Sequence, residues 1–134
     1  MTTKQLRYTI NIMFRWLLCL LFMGVFLTAQ AGEYENALKN NEKAVLYLYT
    51  PSCGYCIKFD KIYDKLKKKY GQNCKFIRID ATKPYGRVIM FEHGARYVPY
   101  VLFADGKAKK AYEVSPRCSI EYSCIEPLLE NFIK

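Results

Sequence analysis

Apolar residues fall into three kinds of run along this chain. The first is a 12-residue stretch at 16–27, interrupted only by Gly24 and preceded by Lys4, Arg7 and Arg15. The second kind is short and rich in aliphatic, β-branched and aromatic residues. Residues 44–50 (AVLYLYT) are nearly continuous in apolar character, as in a strand buried on both faces. Residues 75–80 (KFIRID) intersperse Phe76, Ile77 and Ile79 with charge, and 98–104 (VPYVLFA) and 109–114 predict a third and a fourth strand. The third kind has spacings of three and four. Within 56–70, Phe59, Ile62, Tyr63, Leu66 and Tyr70 make one apolar helix face that stops at Gly71. Within 120–133, Ile125, Leu128, Leu129 and Phe132 repeat the pattern, and Pro127 predicts that the last helix proper starts near Glu126 with proline in its first turn. Residues 33–41 and 85–93 predict two further short helices, and Asp105-Gly106 is a hairpin turn signal between the last two strands.

The resulting order is helix, strand, helix, strand, helix, strand, strand, helix. Strands joined through helices are expected to be parallel and the hairpin pair antiparallel. The expected fold class is α/β, a mixed four-stranded sheet flanked by helices. The stretch before residue 32 belongs to another category. A basic leader, a short apolar run and the small-x-small pattern Ala29-Gln30-Ala31 read as a secretory signal cut after Ala31. The run falls short of the roughly 20 residues of a bilayer span. The expected organisation is therefore a signal peptide at 1–31 and one domain at 32–134, with no stable membrane span after cleavage.

Charge and cysteine count refine this picture. The whole chain carries +9, and removing the leader's three basic residues leaves +6 on 103 residues, enough for a single core. Lysines cluster at 65–69 and 107–110. An exported protein has no nucleic acid to meet, so these runs read as solvated faces or as weak attraction to acidic partners. Five cysteines remain beyond the leader: Cys53, Cys56, Cys74, Cys118 and Cys124. An oxidising compartment permits disulfides, and an odd number leaves at least one sulfur without an intramolecular mate.

The chemistry concentrates in Cys53-Gly54-Tyr55-Cys56, placed between the first strand and the longest helix. A sulfur at a helix N-terminus is stabilised as thiolate by the amide dipoles there. Cys53 is the expected nucleophile and Cys56 the resolving thiol of a dithiol/disulfide exchanger. As an inert staple the pair would close almost no loop. The loop after Val114 is expected near the same end of the sheet. Cys118–Cys124 reads as a disulfide bracing the last helix, with a second redox pair relaying electrons as the other reading. Cys74 is expected to be a buried free thiol at the far end of its strand. His93, the one histidine, closes a helix beside Gly94 and reads as packing or surface. Four thiolates from Cys53, Cys56, Cys118 and Cys124 would suit zinc, and this non-catalytic module is one competing reading. A binding or assembly protein that keeps the fold for partner recognition is another.

The strand-Cys53-Gly54-Tyr55-Cys56-helix unit, the string 91–99 (FEHGARYVP) and the strand and Asp105-Gly106 turn after it together resemble the thioredoxin family, in particular its small exported bacterial members. The resemblance covers about 33–134. It implies a thioredoxin-like fold, thiol–disulfide oxidoreductase activity, no cofactor beyond the Cys53–Cys56 disulfide and no metal. It also implies a cis Val98–Pro99 bond packed against the sulfurs. From the residues alone, an ordinary trans proline opening a strand is the favoured reading. Pro99 and Val98 would shape a groove for extended substrate, with Gly54 and Tyr55 tuning the site and Tyr97 and Tyr100 adding apolar contact. The implied partners are protein disulfides or dithiols, plus a membrane or soluble thiol redox partner. The implied location is the periplasm or outside of a Gram-negative cell.

The chain departs from the family's pattern. Ser52 stands where the family has Trp, Gly54-Tyr55 where it has Gly-Pro, and Tyr47 where it has a buried Asp; the extra N-terminal strand has no counterpart. Cys-Gly-Tyr-Cys is similar to the motif of periplasmic disulfide isomerases. Without the buried carboxylate, water or a substrate group is expected to take the Cys56 proton.

Overall fold

The computed structural model describes residues 5, 7, 10–15 and 32–134. The chain divides into two units, Met1–Ala31 and Gly32–Lys134. In the first, residues 10–15 are helical. The signal-peptide features at 16–31 lie outside the described residues.

The second unit is a four-stranded sheet between two helical layers. Its elements are α1 (Glu33–Lys39), β1 (Lys43–Tyr49), α2 (Gly54–Tyr70), β2 (Lys75–Asp80), α3 (Pro84–Glu92), β3 (Tyr100–Asp105), β4 (Lys110–Val114), α4 (Pro116–Ser119) and α5 (Tyr122–Ile133). The strand order is β2-β1-β3-β4. β1 is central, and Ala44 to Leu48 are entirely buried, as its continuous apolar run requires. Alternate side chains of β1 point into separate cores. Val45 and Tyr47 join Cys56, Phe59, Tyr63 and Leu66 of α2 and Ile125 and Leu129 of α5. Ala44, Leu46 and Leu48 join Tyr34 and Ala37 of α1 and Ile89 of α3.

Strand directions correct one expectation. β1 and β2 are parallel across α2, but β3 runs antiparallel to β1 although a helix joins it to β2. The end of β2 (Asp80 opposite Tyr49) and the start of β3 (Tyr100 opposite Leu48) lie at the same end of the sheet. α3 and the segment 93–99 together run out and back to the end that the chain left, so β3 sets off in the direction opposite to β2.

Three boundaries also differ. The last helix begins at Tyr122, not Glu126, and carries Pro127 inside it. Buried Ile125 and the link from Cys124 to Cys118 hold the turn before the proline. A four-residue helix, α4, precedes it, capped by the Ser115 hydroxyl, which accepts from the Cys118 amide at 3.4 Å. The 105–110 turn is longer than a two-residue hairpin loop. Its left-handed residue is Lys109 (φ 51°), and the Asp105 carboxylate accepts from the Ala108 amide at 2.8 Å. Gly106 serves a close approach instead, since a Cβ there would sit 2.6 Å from the Leu38 carbonyl oxygen of α1.

Candidate active site

The first turn of α2 lies at the end of the sheet where β1 stops. Cys53 is the N-cap of α2, in extended backbone, and the Cys56 amide donates to its sulfur at 3.0 Å. A cap normally satisfies an orphan amide with an oxygen; here a sulfur takes that place. Charge arriving on Sγ when the disulfide is reduced would meet that amide directly, along with the positive end of a 17-residue helix. Cys53 and Cys56 are joined as a disulfide with Cα atoms 5.2 Å apart. Cys53 is half-buried, whereas Cys56 is 2% exposed and belongs to the core. The two sulfurs are therefore inequivalent: Cys53 is the one that a macromolecular disulfide can reach.

The opposite wall of the site is the entry to β3. The Val98–Pro99 peptide is cis, Pro99 is buried, and the Val98 carbonyl oxygen lies 3.6 Å from the Cys53 sulfur. Val98 packs against the same core as Cys53. Gly54 is exposed, with open space where a Cβ would go. Tyr55 and Ile57 are 59% and 60% exposed beside the cysteines and give the rim its apolar surface. The structure thus brings Cys53, Gly54, Tyr55, Cys56, Val98 and Pro99 together.

Tyr97 and Tyr100 do not join them. Both pack on the other face of the sheet, where Tyr97 donates to the Glu113 carboxylate and Tyr100 lies 3.4 Å from Glu113. The side-chain alternation of β3 decides this, because Tyr100 and Val101 must face opposite ways. His93 is half-buried with its ring edge-on to Tyr34 at 5.5 Å, and burial lowers its pKa. Cys74 is a buried free thiol just before β2, and burial pushes its pKa up to about 11.

Cys118 and Cys124 form the second disulfide, with Cα atoms 5.2 Å apart. Val114, paired with Val101, brings α4 to the end of the sheet that carries Pro99. Cys118 is buried in the core that contains Cys56, and Cys124 is exposed. All four sulfurs that could have served zinc are paired in this structure.

Sequence reasoning missed a polar cluster under α2. The Tyr47 hydroxyl lies 3.0 Å from an Asp60 carboxylate oxygen and 3.2 Å from the Cys56 carbonyl oxygen. Arg78 of β2, opposite Tyr47 in register, donates to one Asp60 oxygen at 3.1 Å, is ion-paired with the other at 3.0 Å and lies over the Tyr49 ring at 3.7 Å. Burial, then the Asp60 charge, raises the Tyr47 pKa well above the ordinary tyrosine value. For Arg78, burial opposes the charge, but Asp60 and the tyrosines outweigh it and raise its pKa. The sequence signal was Asp60 four residues after Cys56, together with an arginine set between the apolar Ile77 and Ile79 of β2.

A helix-capping cysteine, a buried partner three residues on and a facing proline define the dithiol/disulfide site of a thiol–disulfide oxidoreductase. Comparison with known proteins gives the family. The thioredoxin family model matches residues 25–121. The chain is 30% identical over 105 residues to a thioredoxin of Borreliella burgdorferi, covering 77% of this chain and 80% of that protein. It is 26% identical to the chloroplastic thioredoxin-like protein HCF164 of Arabidopsis thaliana, covering 78% of this chain and 38% of that protein. Among solved structures, oxidised thioredoxin O1 of Arabidopsis thaliana superposes with a TM-score of 0.62 at 22% identity, covering 78% of this chain and 96% of that one. The chain belongs to the thioredoxin family, and its redox group is its own disulfide.

Proposed function

We propose that this protein is exported and works on disulfides of envelope proteins, in the reducing or reshuffling direction. The observation that carries the chemistry is the Cys56 amide aimed at the accessible Cys53 sulfur. In the dithiol form, the Cys53 thiolate attacks a substrate disulfide and forms a mixed disulfide. Cys56 then attacks Cys53 and releases reduced substrate. The Val98 carbonyl beside the sulfur offers an extended substrate backbone a strand-like contact, and the exposed Tyr55 and Ile57 offer apolar surface for its side chains.

Export rests on the basic leader, the apolar run at 16–27 and Ala29-Gln30-Ala31. The expected location is the periplasm of a Gram-negative cell. Working as a reductant or isomerase requires a membrane or soluble thiol donor that keeps the pair reduced. The reduction potential of Cys53–Cys56 tests the direction: a value toward about −270 mV marks a reductant, and one near −120 mV marks an oxidant and overturns this reading. N-terminal sequencing of the exported protein tests the leader and is expected to start at Gly32.

A further inference from the structure

We propose that Asp60, acting through Tyr47, takes up the proton that Cys56 releases when it resolves the mixed disulfide. The inference rests on the exchange chemistry above. Cys56 is 2% exposed, so its thiol has no ready path to bulk water. Asp60 follows it by four residues in α2, which places the two side chains on one helix face with Cβ atoms about 5–6 Å apart. The Asp60 side chain is 36% exposed, so one side of its carboxylate meets solvent. Its other side accepts from the Tyr47 hydroxyl, whose oxygen also lies 3.2 Å from the Cys56 carbonyl. Tyr47 thus stands between the cysteine's turn and a carboxylate in contact with water. Donating to Asp60 leaves the Tyr47 oxygen free to accept. Burial keeps the phenol protonated, so it hands one proton on only as it takes another. The titratable groups coupled to this cluster are Tyr49 on β1, Arg78 on β2, Tyr63 and Asp64 on α2, and Glu33 on α1, which acts on Tyr63; β3 presents Val101 and Phe103.

The step balances as follows. Cys56 Sγ–H gives its proton to the Tyr47 oxygen as Tyr47 gives its own to Asp60. The Cys56 thiolate attacks Cys53 Sγ, the Cys53–substrate bond breaks, and the substrate sulfur leaves with the electron pair and is protonated from water. The protein pair is oxidised by two electrons and the substrate disulfide is reduced to two thiols. Asp60 returns its proton to solvent. Asp60 and Tyr47 are positioning and proton-relay residues, and the bonds are made and broken at the cysteines.

The test is stopped-flow mixing of reduced protein with a fluorescent disulfide peptide, following formation and decay of the mixed disulfide between about pH 6 and 9.5. Asp60→Asn and Tyr47→Phe are each expected to slow decay at pH 7 by about tenfold or more. Formation should stay within about twofold of wild type. The deficit should close at high pH, where Cys56 ionises unaided, and Asp60→Glu should restore most of the rate. Asp60→Asn alone decides the matter if Tyr47→Phe disturbs the core. Normal formation with a decay deficit that is absent, or equal at every pH, overturns the assignment of Asp60 alone. A wild-type protein that forms no mixed disulfide overturns the exchange reading and this inference with it.

Discussion

At the scale of single residues, the site works by making two sulfurs three positions apart unlike each other. Cys53 can be reached and its charge is met by an amide; Cys56 is enclosed. Cys53→Ser is therefore expected to reduce disulfide reduction by at least about a thousandfold, read by insulin turbidity. Cys56→Ser should still attack but accumulate protein–substrate mixed disulfides, visible on non-reducing gels. Cys74 behaves in the opposite way. Its folded pKa of about 11 lies above the unfolded thiol value, so the folded state holds a proton that the unfolded state loses as pH rises. Its contribution is complete below about pH 8.5 and is lost as pH climbs toward 11. Wild type should lose about 2 kcal/mol more than Cys74→Ala between pH 8 and 11 in paired urea titrations.

At the scale of elements, local rules held wherever one period dominated. The continuous run in β1 and the face of α2 could be read directly because burial and sequence periodicity coincide there. The direction of β3 could not. Whether α3 carries the chain across the sheet or out and back depends on how the 93–99 segment turns, and no hydrophobic period records that turn. α5 starts ahead of the point that Pro127 as a first-turn residue predicts, because the disulfide from Cys124 and the burial of Ile125 extend the helix before the proline. The Tyr47–Asp60–Arg78 cluster was hidden for a related reason: its members come from β1, α2 and β2, and pair only after the β1–β2 register is set. The Cys118–Cys124 bond joins α4 to α5 through a separation of six residues. A loop that short limits its stabilisation to about 2 kcal/mol. The double variant Cys118→Ala/Cys124→Ala should lose about that much in chemical denaturation and keep its turnover at Cys53–Cys56. Lost turnover in a folded double variant would instead identify the bond as an electron relay.

For the molecule as a whole, among the described residues both cores are built from Gly32–Lys134 and share β1 between them. A chain beginning at Gly32 should therefore unfold in one step, with far-UV circular dichroism and tyrosine fluorescence giving superimposable transitions. Non-coincident curves would show that the two faces of the sheet melt separately. Among the described residues, β2 has a strand on one side only, and its open rim bears Lys75 and Arg78. Exposed backbone of this kind invites a second molecule to add its own strand, and bulky positive charges along it oppose that approach. The arginine that holds Asp60 also helps keep neighbouring copies from zipping together. Exchanging Lys75 and Arg78 for valine should turn a dispersed protein into one that scatters light as concentration rises.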